Sequence, residues 1–315
     1  MLKRLVITMG DPAGIGPFIL VKSLLPLRLK NVEVVLLGDR KVLSGVPGFK
    51  RLEGRVTLVD LKNAGGIPRG QPGRGSGIAA LEYLYRARDF LGDQKRSCLV
   101  TGPVSKEAIQ LSKTDFTGHT EFLAKEFSVE NFAMMMVGRI LKIVFLTRHV
   151  NIRDVPKQLN LTKIKDTLKL TSDSLRFLFG LRTPKIALCS LNPHAGLDTY
   201  LEREEKNLLK AVKDLKEKNT DFIGPYPADT LFKEALKGGF DAVVSFYHDQ
   251  GMIPFKSFEF SSGVNLTLGL PFVRTSPAHG PAFNIVNKSN KIDPRSMTQA
   301  IKLALKLKSN PVFSP

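Results

Sequence analysis

The chain has 315 residues, 43% hydrophobic and 24% charged. This balance excludes a disordered or collagen-like polypeptide and suits roughly two domains of about 150 residues. Lys and Arg number 47 against 29 Asp and Glu, a formal charge of +18 that draws anions, small or polymeric; yet Trp is absent, Tyr numbers 5 and no basic cluster is interleaved with aromatics, so no nucleic-acid partner is expected.

Residues 1–7 run straight into a strand pattern, without the long apolar core and small-residue cleavage site of a secretion signal, so a cytoplasmic protein is expected. Short β-branched or apolar runs predict strands over 5–9, 32–38, 55–61, 97–102, 132–138, 141–147, 185–191, 241–247 and 264–268. Gly138-Arg139 between two such runs predicts a hairpin, hence an antiparallel part in one sheet. Helical spacing predicts helices over 76–91, 161–179, 201–218 and 294–308, the last opened by an Asp293-Pro294 N-cap and first-turn pair. Residues 62–77 are rich in Gly and Pro and read as a mobile loop, either a lid or a connector. Cys98 and Cys189 both sit in apolar strand-like runs and read as buried free thiols in a reducing compartment. No apolar run approaches the ~20 residues of a membrane span, so no membrane partner is expected. The alternation predicts an α/β fold with mixed, mainly parallel sheets.

The first chemical signal is Gly10-Asp11-Pro12-Ala13-Gly14-Ile15-Gly16-Pro17, between the first strand and a helix start. Glycines there let a backbone turn sharply or approach an anion at a helix N-terminus. Gly10, Asp11, Gly14 and Gly16 are therefore candidate anion or loop contacts, and a tight turn without ligand stands equally beside that reading. The spacing is not the dinucleotide fingerprint G-x-G-x-x-G. More informative are three histidines that directly follow apolar strands: His149, His194 and His248. Ligands in α/β folds bind outside the carboxyl ends of strands, and three imidazoles at such an edge can hold a zinc-like ion with one position open. They lie far apart in sequence, so a hydrogen-bonded structural role for each stays open. Lys256, Asn265 and Arg274, each near a strand end, are candidate anion contacts; Arg274 stands out between an apolar run and the polar turn Thr275-Ser276.

Taken as a set, these motifs resemble the 4-hydroxythreonine-4-phosphate dehydrogenase family. The resemblance rests on Gly10–Pro17, Thr101-Gly102-Pro103-Val104-Ser105-Lys106, Phe116-Thr117-Gly118-His119-Thr120-Glu121-Phe122 and Leu191-Asn192-Pro193-His194-Ala195-Gly196. It continues through Gly224-Pro225-Tyr226-Pro227-Ala228-Asp229, Tyr247-His248-Asp249-Gln250-Gly251 and Gly263–Ser276, in the family's order. It implies two α/β/α lobes like those of isocitrate and isopropylmalate dehydrogenases, here residues 1–115 plus 285–315 and residues 116–284. The second lobe is expected to carry the metal and dimer contacts of a homodimer whose active site lies at the interface.

The implied activity is NAD-dependent oxidation of 4-phosphooxy-threonine with loss of carbon dioxide, giving 3-amino-2-oxopropyl phosphate for pyridoxal phosphate (vitamin B6) biosynthesis. By the same resemblance His149, His194 and His248 match ligands of a divalent metal (Zn, Co or Mg), contributed across two subunits. His119, Thr120, Lys256, Asn265 and Arg274 match substrate contacts, Asp229 lines the site, and Lys256 is either an anion contact or a proton shuttle. Three positions depart from the family's usual pattern: Phe18 and Ala278 where acidic residues are common, and Leu197-Asp198-Thr199 where Glu-Gly-Gly is common. The last change adjoins a metal-ligand candidate and bears on substrate identity; phosphorylated sugar acids such as threonate or erythronate 4-phosphate are the alternative substrates.

Overall fold

The apolar runs become strands. The computed structural model describes residues 3–92, 97–196, 203–215, 219–259 and 261–308. These form β1 (Lys3–Thr8), β2 (Val32–Gly38), β3 (Thr57–Asp60), β4 (Ser97–Thr101), β5 (Ala133–Val137) and β6 (Lys142–Phe145), then β7 (Lys185–Cys189), β8 (Asp221–Tyr226), β9 (Ala242–Ser245), β10 (Val264–Leu268) and β11 (Val273–Pro277). Packing divides the chain into a first unit of Met1–Ser128 with Leu270–Pro315 and a second of Val129–Gly269. Helix His119–Glu126 and strand β11, which the sequence boundaries assign to the second lobe, thus lie in the first unit. β11 pairs in parallel with β4, setting Val273 beside Cys98 and Thr275 beside Val100. Phe116 and Phe122, around the start of that helix, pack with Leu81, Leu84 and Ile109.

In the first unit the strand order is β3-β2-β1-β4-β11, all parallel. Leu5, Val6 and Ile7 on β1 are fully buried, each contributing roughly 1.5–3 kcal/mol of hydrophobic stabilisation. Helix Arg295–Lys306 packs on β11, β4 and β1 through Met297, Ala300, Ile301 and Ala304, one face at helical spacing. Its N-cap is Pro294, one residue later than the sequence suggests; the Asp293 carboxylate accepts the Arg295 N–H at 2.9 Å. The glycine-rich residues 62–77 form a connector anchored at both ends: Ala64 N–H donates to Asp39 Oδ2 at 2.9 Å and Gly70 N–H to Ala13 O at 2.8 Å. Helix Arg74–Asp89 starts inside the stretch.

In the second unit the order is β10-β5-β6-β9-β7-β8. β10, β5 and β6 run antiparallel to their neighbours among themselves, and β6, β9, β7 and β8 run parallel. The expected hairpin joins β5 to β6, with Met135 opposite Val144. Helix Leu161–Phe177 buries Ile164, Leu168 and Leu175, and the Asn160 side chain caps it by accepting the Lys163 N–H at 2.8 Å. The expected helix over 201–218 is seen as Arg203–Leu215, its remaining residues lying outside the described ones. Cys98 and Cys189 are free and buried, and burial pushes both thiols up to about 12. Among the described residues no helix is long and apolar enough to cross a membrane.

Candidate functional site

Four adjacent parallel strands organise the second unit's site. In the spatial order β6, β9, β7, β8, the segments after their carboxyl ends carry His149, His248, His194 and Asp229. Past the ends of β6 and β9 the chains stay paired: Leu146 N–H donates to Ser245 O at 2.9 Å and Thr147 N–H to Phe246 O at 3.0 Å. The His149 and His248 rings consequently lie side by side, centroids 5.6 Å apart and planes 40° apart. Phe145 stacks on His248 at 6.0 Å. His248, the first residue of helix His248–Glu259, donates its Nδ1–H to Asp249 Oδ1 at 2.6 Å. Such a carboxylate fixes the tautomer and leaves Nε2 as the ligating nitrogen.

His194 and Ala195 adopt the left-handed conformation, with φ of +61° and +51°. The loop that presents them is fixed from below. Buried Glu205 Oε1 accepts the N–H groups of Leu191 at 3.1 Å and Asn192 at 2.9 Å, and the Asn192 side-chain amide at 3.1 Å. His194 lines a cavity of ≈ 750 Å³ together with Asn192, Asp229, Tyr247, Asp249 and Gln250. Among the described residues no three His, Cys, Asp or Glu side chains converge as a metal site within this one chain. The pair His149 and His248 does suit an ion by donor chemistry: two imidazoles sharing one tetrahedral metal have centroids roughly 5 Å apart. His194 stands in the cavity that takes the residues on either side of His248. Lys256 is exposed on the same helix as His248, and Asn265, on β10, buries an Oδ1 that has no partner among the described residues.

The first unit holds the other candidates. Arg274 on β11 is 1% exposed and donates to Thr101 Oγ1 at the end of β4. Burial pushes its guanidinium down to about 9, against the opposing pull of Glu121. His119 opens helix His119–Glu126 after an extended Gly118, and Thr120 behind it is buried. Burial, then the charges of Arg274 and Lys106, hold the His119 pKa well below the usual imidazole range. Its ring is therefore neutral at pH 7, and its buried Nε2 has no partner among the described residues. A buried cation, a neutral imidazole and a helix start together form a surface for an oxyanion or hydroxyl.

The glycine motif faces protein. A Cβ on Gly10 (φ +80°) would lie 2.5 Å from Pro103 O, and one on Gly14 2.7 Å from Pro281 O. A Cβ on Gly16 would lie 2.4 Å from Met9 O. Asp11 is fully buried and accepts the Ala13 N–H at 2.9 Å and the Ser76 hydroxyl at 3.3 Å. Burial raises its pKa, opposed by those hydrogen bonds and one from the Ser105 backbone. The motif thus locks the β1 loop against the β4 loop.

Of the three departures, Phe18 carries the Lys22 ammonium 5.4 Å from its ring centroid, Ala278 donates its N–H to Ser296 Oγ at 2.9 Å, and Leu197 lies outside the described residues. Sequence reasoning passed over Lys106, Glu205 and Gln250. Lys106 and Gln250 stand inside recognised motifs, whereas nothing local marks Glu205.

The family model described as Pyridoxal phosphate biosynthetic protein PdxA matches residues 20–304. A 4-hydroxythreonine-4-phosphate dehydrogenase of Desulforapulum autotrophicum is 39% identical over 318 residues, 95% of this chain and 93% of the relative. A protein of Oceanobacillus iheyensis named as a D-threonate 4-phosphate dehydrogenase is 35% identical, covering 96% of each chain. The crystal structure of 4-hydroxythreonine-4-phosphate dehydrogenase from Klebsiella pneumoniae is similar with a TM-score of 0.80 at 32% identity, covering 96% of this chain and 98% of that one. A β-decarboxylating dehydrogenase of Thermococcus kodakarensis shares the fold alone, with a TM-score of 0.53 at 14% identity over 96% of this chain and 82% of that one.

Proposed function

The chain belongs to the pyridoxal phosphate biosynthetic protein PdxA family, and from that premise we propose that it oxidises 4-phosphooxy-threonine at its secondary alcohol. NAD and a divalent metal (Zn, Co or Mg) are the proposed cofactors, and decarboxylation to 3-amino-2-oxopropyl phosphate the proposed outcome. The observation that carries this reading is likeness to 4-hydroxythreonine-4-phosphate dehydrogenases along 95% of the chain.

His149, His194 and His248 would hold the metal, their set completed by a second copy in a homodimer. When bound, the two cofactors supply a Lewis acid that acidifies the alcohol and an acceptor for its hydride. This chain's own residues bind and orient. Asp249 holds the His248 tautomer. Arg274, poorly solvated in its buried position, attracts an anionic end of the substrate. Neutral His119 offers its buried Nε2 to a substrate oxygen, and Asn265 Oδ1 offers an acceptor to the amine. Asp229 lines the cavity, and solvent-exposed Lys256 can bind an anionic end or exchange a proton with water. The proposed setting is the cytoplasm, where buried free thiols stay reduced.

The test is NADH formation with 4-phosphooxy-threonine, its loss on adding a chelator, and its loss in His194→Ala. Full turnover in that variant overturns the metal assignment. The likeness to the O. iheyensis protein supports a second reading, a phosphorylated sugar acid as substrate. Turnover of threonate 4-phosphate and 4-phosphooxy-threonine, measured side by side, separates the two.

A further inference from the structure

His194 and His248 follow neighbouring strands, β7 and β9, and one side chain bridges the two strand ends. Gln250, in the first turn of the helix that His248 opens, accepts the Phe246 N–H on its Oε1 at 2.8 Å. Its Nε2 donates to Ser190 O at 2.7 Å. Phe246 stands two residues before His248, and Ser190 opens the loop that carries His194. Only a carboxamide can accept from an N–H and donate to a C=O at once in this orientation. Gly251 makes the reach possible. A Cβ there would lie 2.7 Å from Ile143 Cγ2 and 2.8 Å from both Phe145 Cε1 and Ser245 Oγ. Its absence seats the first helical turn against β6 and β9. Ser190 is itself buried and anchored, its N–H donating to Tyr226 O at 2.8 Å and its hydroxyl to Asn192 O at 2.7 Å. The far end of the Gln250 bridge is thus a fixed point.

We infer that Gln250 is a positioning residue that couples the His194 loop to the His248 helix, so that the two imidazoles hold a common alignment. The role toward a metal rests on the function proposed above; the coupling itself does not. In metal-free protein labelled with 13C at the histidine ring carbons, Gln250→Ala is expected to shift the ring signals of both His194 and His248. A shift of His248 alone is a local effect and overturns the coupling. Gln250→Glu keeps the acceptor for Phe246 but sets a carboxylate against the Ser190 carbonyl. It should therefore move the His194 signal and leave that of His248 in place, and an unmoved His194 signal overturns the inference even where the alanine variant fails to fold.

Cobalt(II) alone then reads the consequence. Its affinity should fall about tenfold or more in Gln250→Ala, as is usual when a group supporting metal ligands is lost. In a His194→Ala background the Gln250 substitution should cost nothing further, because the coupled partner is gone. Additive losses indicate a general structural role and overturn the inference. If the unsubstituted protein takes up no cobalt(II), the metal assignment fails, and the histidine signals still decide whether Gln250 couples the loops.

Discussion

Replacing Arg274 by Met separates the stability of this protein from its proposed activity. Arg274 is 1% exposed, and burial pushes its guanidinium down to about 9. Set against about 12.5 for a free guanidinium, that fall means roughly 5 kcal/mol of lost hydration that the folded protein does not return to the cation. Met keeps much of the chain length and removes the charge. The loss is the hydrogen bond to Thr101 Oγ1, about 1.5–3 kcal/mol for a charged donor. The two nearly offset, as when a buried ion is replaced by an apolar side chain of similar volume. In urea unfolding at pH 7.5, Arg274→Met should therefore equal or exceed the unsubstituted protein in stability. The same variant should bind 4-phosphooxy-threonine at least about 30-fold more weakly, the low end of what a desolvated charge pair contributes. A loss of 3 kcal/mol or more of stability, on the order expected for breaking a compensated buried pair, would show that the fold already satisfies the cation. The argument that it is held ready for an anion would then fail.

Three further outcomes are expected. His119 keeps a folded pKa below its unfolded value near 6.5, so the unfolded chain takes up a proton that the folded one refuses. Its contribution is complete above that pH and is lost as pH falls below it, by up to about 1.4 kcal/mol per pH unit. His119→Gln should flatten the urea midpoint between pH 6.5 and 5, and an unchanged slope counts against the assignment. Glu205→Gln keeps an acceptor for the loop before His194 and should cost about 1 kcal/mol, whereas Glu205→Ala, which strands two backbone N–H groups, should cost about 3 kcal/mol; equal losses in chemical denaturation contradict this. Gly77→Ala would drive a Cβ to 2.1 Å from the Ala108 carbonyl oxygen and should destabilise the first unit by about 3 kcal/mol or more; a thermal midpoint within a degree of the unsubstituted protein would refute it.

Strands of continuous apolar character were readable from the chain: β2 and β10 have the bounds that their composition predicts. β8 was not, because Gly224 and Pro225 lie within it and its residues are only half covered, as an edge strand allows. β11 was not, because Arg274, Thr275 and Ser276 read as a polar turn and are buried by pairing with a strand far away in sequence. Helix His248–Glu259 was hidden by Gly251 and Pro254. The histidine positions were legible because each follows the abrupt end of an apolar run. What holds them was not, since the carboxamide of Gln250 meets the Ser190 carbonyl across two neighbouring strands and leaves no periodic trace. The N-terminal glycines were conspicuous, yet only the backbone packed against them shows what they face.

The strand order of the first unit has a consequence for biosynthesis. β4 receives its partner β11, and the cover of helix Arg295–Lys306, only after the whole of Val129–Gly269 has been made. At ordinary translation rates that interval is on the order of 10 s. For that time a fully apolar parallel strand emerges from the ribosome with one row of backbone donors and acceptors bare, an invitation to pairing with other nascent chains. The second unit, drawn from one unbroken stretch, carries no such delay.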